Sequence, residues 1–137
     1  MISFNDIEAA YLFVSSARYG MNSAVLRKDT GQILYQSEMG DIDEIEDEYL
    51  DWDMCVEIPH KNDLDLGEQL VFAFINAHIP DEYDRVHQMF RQRGAYGNFK
   101  SFLESRGLLN TWYEFEHKRE ERALRQWCQE NEIELSS

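Results

Sequence analysis

Ser23-Ala24-Val25-Leu26-Arg27-Lys28-Asp29-Thr30-Gly31-Gln32-Ile33-Leu34-Tyr35-Gln36 is the stretch on which the fold turns. Two runs of aliphatic and aromatic residues flank the turn cluster Lys28-Asp29-Thr30-Gly31, where glycine supplies a positive φ, so the segment reads as a β-hairpin. A bare hairpin is marginal in water. Cys55-Val56-Glu57-Ile58, stopped by Pro59, is the segment suited to add a third strand.

Outward from the hairpin, the period changes. Upstream, Ile7, Ala10, Tyr11, Val14 and Ala17 recur on one face and predict a helix over 6–18, with Asn5 as its cap and Gly20 as its stop. Downstream the chain reads as helical. Asp65 and Glu68 stand at capping-box spacing before Leu70-Val71-Phe72-Ala73-Phe74-Ile75, and Pro80 forbids continuation; the apolar character all round predicts a central buried helix. Pro80 then suits the first turn of another helix, which carries Tyr83, Val86, His87 and Phe90 on an inward face, has Arg91 and Arg93 near its C-terminal end and stops at Gly94. A short helix bearing Phe99, Phe102 and Leu103 ends at Gly107. The last runs over 110–130, apolar at both ends (Trp112, Tyr113, Phe115; Ala123, Leu124, Trp127) and charged all round between Glu116 and Arg122. The expected fold class is α+β: a small antiparallel sheet, hairpin plus third strand, packed against several helices, with a helical C-terminal half and a single domain over 1–137.

Composition narrows the function classes. A 137-residue chain with 43% hydrophobic and 13% aromatic residues can bury a core and lacks the signature of a disordered protein. No apolar run approaches the ~20 residues of a membrane span, and Met1-Ile2-Ser3-Phe4-Asn5-Asp6 lacks the basic start of a signal peptide, so a cytoplasmic location and no membrane partner are expected. Cys55 and Cys128 are far apart, which argues for packing rather than for a disulfide or metal site. With 13 Lys+Arg against 27 Asp+Glu, the net charge is -14 and repels nucleic acid over most of the surface.

Motifs for chemistry are sparse. There is no G-x-S-x-G, H-E-x-x-H or P-loop, and no window fits a calcium loop; Asp63-x-Asp65-x-Gly67 fails at its fifth position. Asp84-x-x-His87 and Glu114-x-x-His117 have the spacing of di-metal bundle ligands, but the other helices offer no inward glutamate to complete such a site. Neither catalytic residue, metal nor cofactor is expected.

Two segments concentrate charge. From Glu38 to Asp53 there are nine acidic residues and no base: Glu38, Asp41, Asp43, Glu44, Glu46, Asp47, Glu48, Asp51 and Asp53. Their repulsion predicts a solvated loop or frayed helix, tacked down at Ile42, Ile45, Tyr49 and Leu50. Asp41, Asp43, Glu44, Glu46 and Asp47 are the candidate partner-binding residues. Conversely, Arg85, Arg91, Arg93, Lys100 and Arg106 face only Glu104 in sequence, a local charge of 5 - 1 = +4. Arg91, Arg93, Gly94 and Lys100 lie around a predicted helix start, where free backbone N–H groups favour an anion. The structural reading of the same bases is complementation of a helix C-terminus. Arg93-Gly94-Ala95-Tyr96-Gly97-Asn98-Phe99 also echoes an RNA-recognition run, but that run belongs on a strand and here the context is helical.

Several blocks together resemble a bacterial group known as uncharacterised protein family 0158. They are Asp29-Thr30-Gly31 with its strands, the acidic stretch, Ile58-Pro59-His60-Lys61-Asn62-Asp63, Arg93-Gly94-Ala95-Tyr96, Phe99-Lys100, and Gly107-Leu108-Leu109 through Trp112-Tyr113-x-Phe115. The resemblance spans essentially the whole chain and implies a bacterial cytoplasmic protein, with no activity or catalytic residue to carry over. One departure is Gly97-Asn98, where the family pattern places two arginines. The functional expectation is a small acidic non-enzymatic regulatory or adaptor protein that binds a larger, basic protein. The alternatives are an anion or nucleic-acid binder using the Arg91–Lys100 segment, and an enzyme of unrecognised type.

Overall fold

The computed structural model describes residues 2–38, 40, 42–45 and 50–136. In chain order its elements are β1 (Ile2–Ser3), α1 (Phe4–Ser15), β2 (Asn22–Arg27), β3 (Ile33–Ser37), β4 (Cys55–Glu57), α2 (Glu68–His78), α3 (Tyr83–Met89), α4 (Ala95–Ser105), α5 (Leu109–Glu130) and β5 (Leu135–Ser136). Short 3-10 turns cover Trp52–Met54, Lys61–Leu64 and Pro80–Glu82. The fold is α+β, and the chain divides into two compact units, residues 1–64 with 121–137 and residues 65–120.

In the first unit the hairpin forms as its sequence dictates. β2 and β3 pair antiparallel with Val25 opposite Leu34 and Leu26 opposite Ile33, and Gly31 closes the turn at φ 78, its N–H donating to the Arg27 carbonyl at 2.7 Å. β4 joins β2 antiparallel, with Val56 opposite Leu26, giving the order β3-β2-β4. Ala24 and Leu26 are buried on the sheet face whose Tyr35 meets Phe13 of α1 edge-on, and Ile7, Ala10, Tyr11 and Val14 of α1 are buried on the face set by their helical spacing. Val25, also buried, points to the opposite face of the sheet. The cap of α1 is Ser3 rather than Asn5: the Ser3 hydroxyl accepts the Asn5 N–H at 3.1 Å. Pairing of β1 with β5 is parallel and joins Ile2 to Leu135. Leu124, Cys128 and Ile133 complete the buried set of this unit.

The second unit is helical. Leu70, Val71, Phe74 and Ile75 of α2 pack with Val86, Phe99, Phe102, Leu103 and Trp112. The capping box expected from Asp65 and Glu68 does not form, because Asp65 adopts a left-handed φ of 58 and Gly67 takes the cap position. α3 ends at Met89, short of Gly94, so Arg91 and Arg93 lie beyond it in turns. Its inward side is narrower than the periodicity suggests. Val86 is fully buried, whereas His87 is exposed and only lays its ring near Phe72 and Tyr83. Seven residues supply too little helix for a whole face to be covered.

Candidate functional site

The described part of the acidic stretch lies along the outer edge of β3. Ser37 donates its N–H to the Ile42 carbonyl at 2.9 Å, and the Glu44 N–H donates to the Tyr35 carbonyl at 2.8 Å. The Glu44 side chain turns back to accept the Tyr35 N–H through Oε1 at 2.9 Å, and Gln36 donates from Nε2 to Asp43 Oδ1 at 3.1 Å. An irregular, carboxylate-bearing segment therefore occupies an edge that would otherwise template a further strand. Asp43 and Glu44 are exposed; Asp41, Glu46, Asp47 and the Tyr49 anchor fall outside the described residues. Of the other expected anchors, Leu50 is buried, but Ile42 is 43% exposed, since its backbone carbonyl rather than its side chain makes the attachment.

At the opposite edge, Asp51 caps the turn Trp52–Met54 by accepting the Asp53 N–H at 3.1 Å. Trp52 and Met54 stand 53% and 39% exposed there. They are followed by β4, whose Glu57 is also exposed.

Between β4 and the end of α1, the block Ile58-Pro59-His60-Lys61-Asn62-Asp63 folds into a fastened turn. His60 is only 4% exposed. The Asn62 N–H donates to His60 Nδ1 at 3.1 Å, which makes Nδ1 the acceptor and assigns the ring proton to Nε2, 3.0 Å from the Ala17 carbonyl that receives it. Asp63 accepts the His60 N–H through Oδ2 at 3.0 Å and the Tyr19 hydroxyl through Oδ1 at 2.9 Å. The Lys61 N–H donates to Ser15 Oγ at 3.0 Å. Both ring nitrogens of His60 are thus spent on backbone groups, and the residue holds the turn against α1 instead of offering a base or a ligand. Sequence reasoning quoted this block without giving it a structural role. The available signal was a histidine after Ile-Pro with an aspartate three positions on, able to close a turn on the histidine N–H.

A hollow of about 80 Å³ opens beside this turn, lined by Tyr19, Asn22, Ser23, Glu57, His60 and Asp63 among others. Its field is negative. The Tyr19 phenol is pushed above its ordinary value, first by its hydrogen bond to Asp63, then by the Asp63 charge, with Glu57 adding to it. A wider hollow of about 370 Å³ by the hairpin turn sets Lys28 against Asp29, Glu132 and Glu134.

The basic segment belongs to the second unit. Gly94 caps α4 at φ 71 with no side-chain hydrogen bond, and Arg91, Arg93, Gly94 and Lys100 are all exposed. Lys100 places Nζ 5.7 Å from the centre of the Tyr113 ring. The other two bases are committed elsewhere: Arg85 and Arg106 flank the Phe102 ring at 5.0 and 5.1 Å and both reach Glu82. Among the described residues, no three of His, Cys, Asp and Glu gather as a metal-binding group. Compared with protein-family models, curated proteins and solved structures, the chain matches none.

Proposed function

We propose that this chain is a small, non-enzymatic acidic binding protein of the bacterial cytoplasm, a regulator or adaptor whose partner is a larger basic protein. The single observation that carries this reading is the placement of carboxylates around the sheet of the first unit. Asp43 and Glu44 lie on one edge, and Asp51, Asp53 and Glu57 on the other, with Trp52 and Met54 exposed among them. Unpaired charge of one sign steers a partner of the other sign, and exposed large apolar residues give the encounter area to bury. Membership of uncharacterised protein family 0158 belongs to the same proposal and rests on the residue blocks quoted above.

Neutralising Asp41, Asp43, Glu44, Glu46 and Asp47 together is expected to abolish capture of the principal partner from native lysate, and moderate salt to weaken it by screening. One observation favours a second reading, an anion binder: the cap of α4, Gly94, brings no side-chain hydrogen bond to the helix start and stands beside three exposed bases. Capture that survives loss of the five carboxylates but fails on replacing Arg91, Arg93 and Lys100 would establish that reading in place of the first.

A further inference from the structure

β2 is bonded on both sides, but β4 on one. The Ile58 N–H donates to the Ala24 carbonyl at 2.9 Å and the Lys28 N–H to the Met54 carbonyl at 2.8 Å. These bonds bracket the Leu26–Val56 pair. In an antiparallel ladder the bonded residues alternate, so residues 54, 56 and 58 face β2, while Cys55 and Glu57 direct their backbone groups away from it. The Cys55 N–H is taken by the Trp52 carbonyl. That leaves the Glu57 N–H and carbonyl and the Cys55 carbonyl along the outer edge, in a sheet where β4 is the terminal strand. The β3 edge is occupied by the acidic stretch; the β4 edge has no such cover among the described residues.

We propose that the outer edge of β4 takes up an extended, lysine- or arginine-bearing segment of a partner protein as an added strand, and that a basic side chain of that segment enters the hollow between Tyr19, Glu57 and Asp63. This rests on the acidic-partner reading above and names its surface. Val14, Ala24 and Ile58 line the hollow, and side chains alternate along a strand, so the residue of the added strand next to the one paired with Glu57, opposite Ile58, would project its side chain on the Ile58 face and toward the hollow. There it meets the Asp63 carboxylate and the exposed Tyr19 ring, in a field to which the Glu57 charge adds, a setting for an ammonium or guanidinium group. Main-chain bonds to an edge supply affinity and the side-chain recess supplies selectivity. A second copy of this chain is the wrong occupant, because pairing β4 with itself would bring Asp53 and Glu57 against their own kind in a chain of net charge -14.

The test uses two short peptides of alternating lysine and valine. One has a free backbone; the other is N-methylated at alternate residues, which preserves its charge and removes its ladder donors. Each is titrated at low salt into the isotope-labelled full chain, reading affinity and the shift and exchange rate of the Glu57 amide. The free peptide is expected to slow exchange at Glu57 and to bind about tenfold more tightly than its methylated form, the equivalent of one or two main-chain hydrogen bonds. Glu57→Pro, which deletes an N–H outside the β2 ladder, is expected to erase that preference. Should this variant fail to fold, the peptide pair on the parent chain decides the matter by itself. Equal binding of the two peptides without protection at Glu57 overturns the strand-addition proposal and leaves the acidic-partner reading standing. Absence of binding by either overturns both.

Discussion

Replacing Trp112 separates two contributions that the core of the second unit combines in one side chain. Its indole is 1% exposed. It stands nearly perpendicular to Phe74 and Phe99, with ring centres 5.3 and 5.2 Å away, and close to parallel with Phe115 at 6.3 Å. Nε1 is buried with no hydrogen-bond partner, surrounded by aromatic rings that offer at most a weak N–H to π contact. Trp112→Ala removes the whole payload and leaves a cavity, an expected loss of about 3–5 kcal/mol against a total of roughly 5–15 for a domain of this kind. Trp112→Phe gives up a few heavy atoms, about 2–3 kcal/mol at ~0.8 per methylene equivalent, but also removes an unsatisfied donor whose burial costs about 1–3. The two nearly cancel, so the phenylalanine variant is expected within about 1–2 kcal/mol of the parent. Guanidinium unfolding followed by far-ultraviolet circular dichroism measures both. An alanine variant with an unchanged midpoint would refute the anchoring role, and a phenylalanine variant as damaged as alanine would show that Nε1 makes a bond worth keeping.

Asp63→Asn is expected to lower the Tyr19 phenol toward its ordinary value in an ultraviolet titration, since the carboxylate that accepts its proton and opposes its ionisation is gone. Because the folded phenol lies above its ordinary value of 10.0, the stabilisation from this bond is complete below that pH and is lost as pH rises through the raised value. Gly94→Ala forces a side chain into φ 71 and is expected to cost about 1–2 kcal/mol, although open space surrounds the position; an unchanged melting temperature would contradict the left-handed cap. Cys128 is buried and its thiol pushed up chiefly by that burial. Its reaction with a disulfide reagent at neutral pH should therefore be slow in the native protein and fast in denaturant; rapid native labelling would contradict its placement.

How far the sequence could be read follows from how local each determinant is. The hairpin, its glycine turn and the third strand were legible because strand propensity and turn chemistry sit within a few residues of one another. So was the buried face of α1, written in its periodicity, whereas α2 was read as apolar all round and buries Leu70, Val71, Phe74 and Ile75. Ser3 displaced Asn5 as cap because two eligible residues stand two positions apart and only the backbone path chooses between them. Asp65 failed as a cap because the chain turns there through a left-handed conformation that spacing alone does not reveal. β1 with β5 was illegible: two residues at each end carry no strand pattern, and their pairing joins positions more than 130 apart. The site was less legible than the fold. Carboxylate runs show charge but not that Glu44 ties itself to Tyr35, and nothing in the spacing around His60 shows that its two ring nitrogens hold backbone groups.

The pairing of β1 with β5 also sets a timetable for synthesis. The first unit is assembled from residues 1–64 and 121–137, with the second unit's 65–120 made in between. At roughly 5–20 residues per second a ribosome spends about 3–11 s on that interval. Throughout it, the nascent α1 and hairpin lack Leu124, Cys128 and Ile133 from their core and Leu135 from their ladder. The second unit has its buried cluster confined between Leu70 and Trp112 and can consolidate while the earlier-made segment waits. The order of completion is therefore the reverse of the order of emergence, and a stalled or truncated chain would leave the amino-terminal unit, not the later one, exposed to chaperones and proteases.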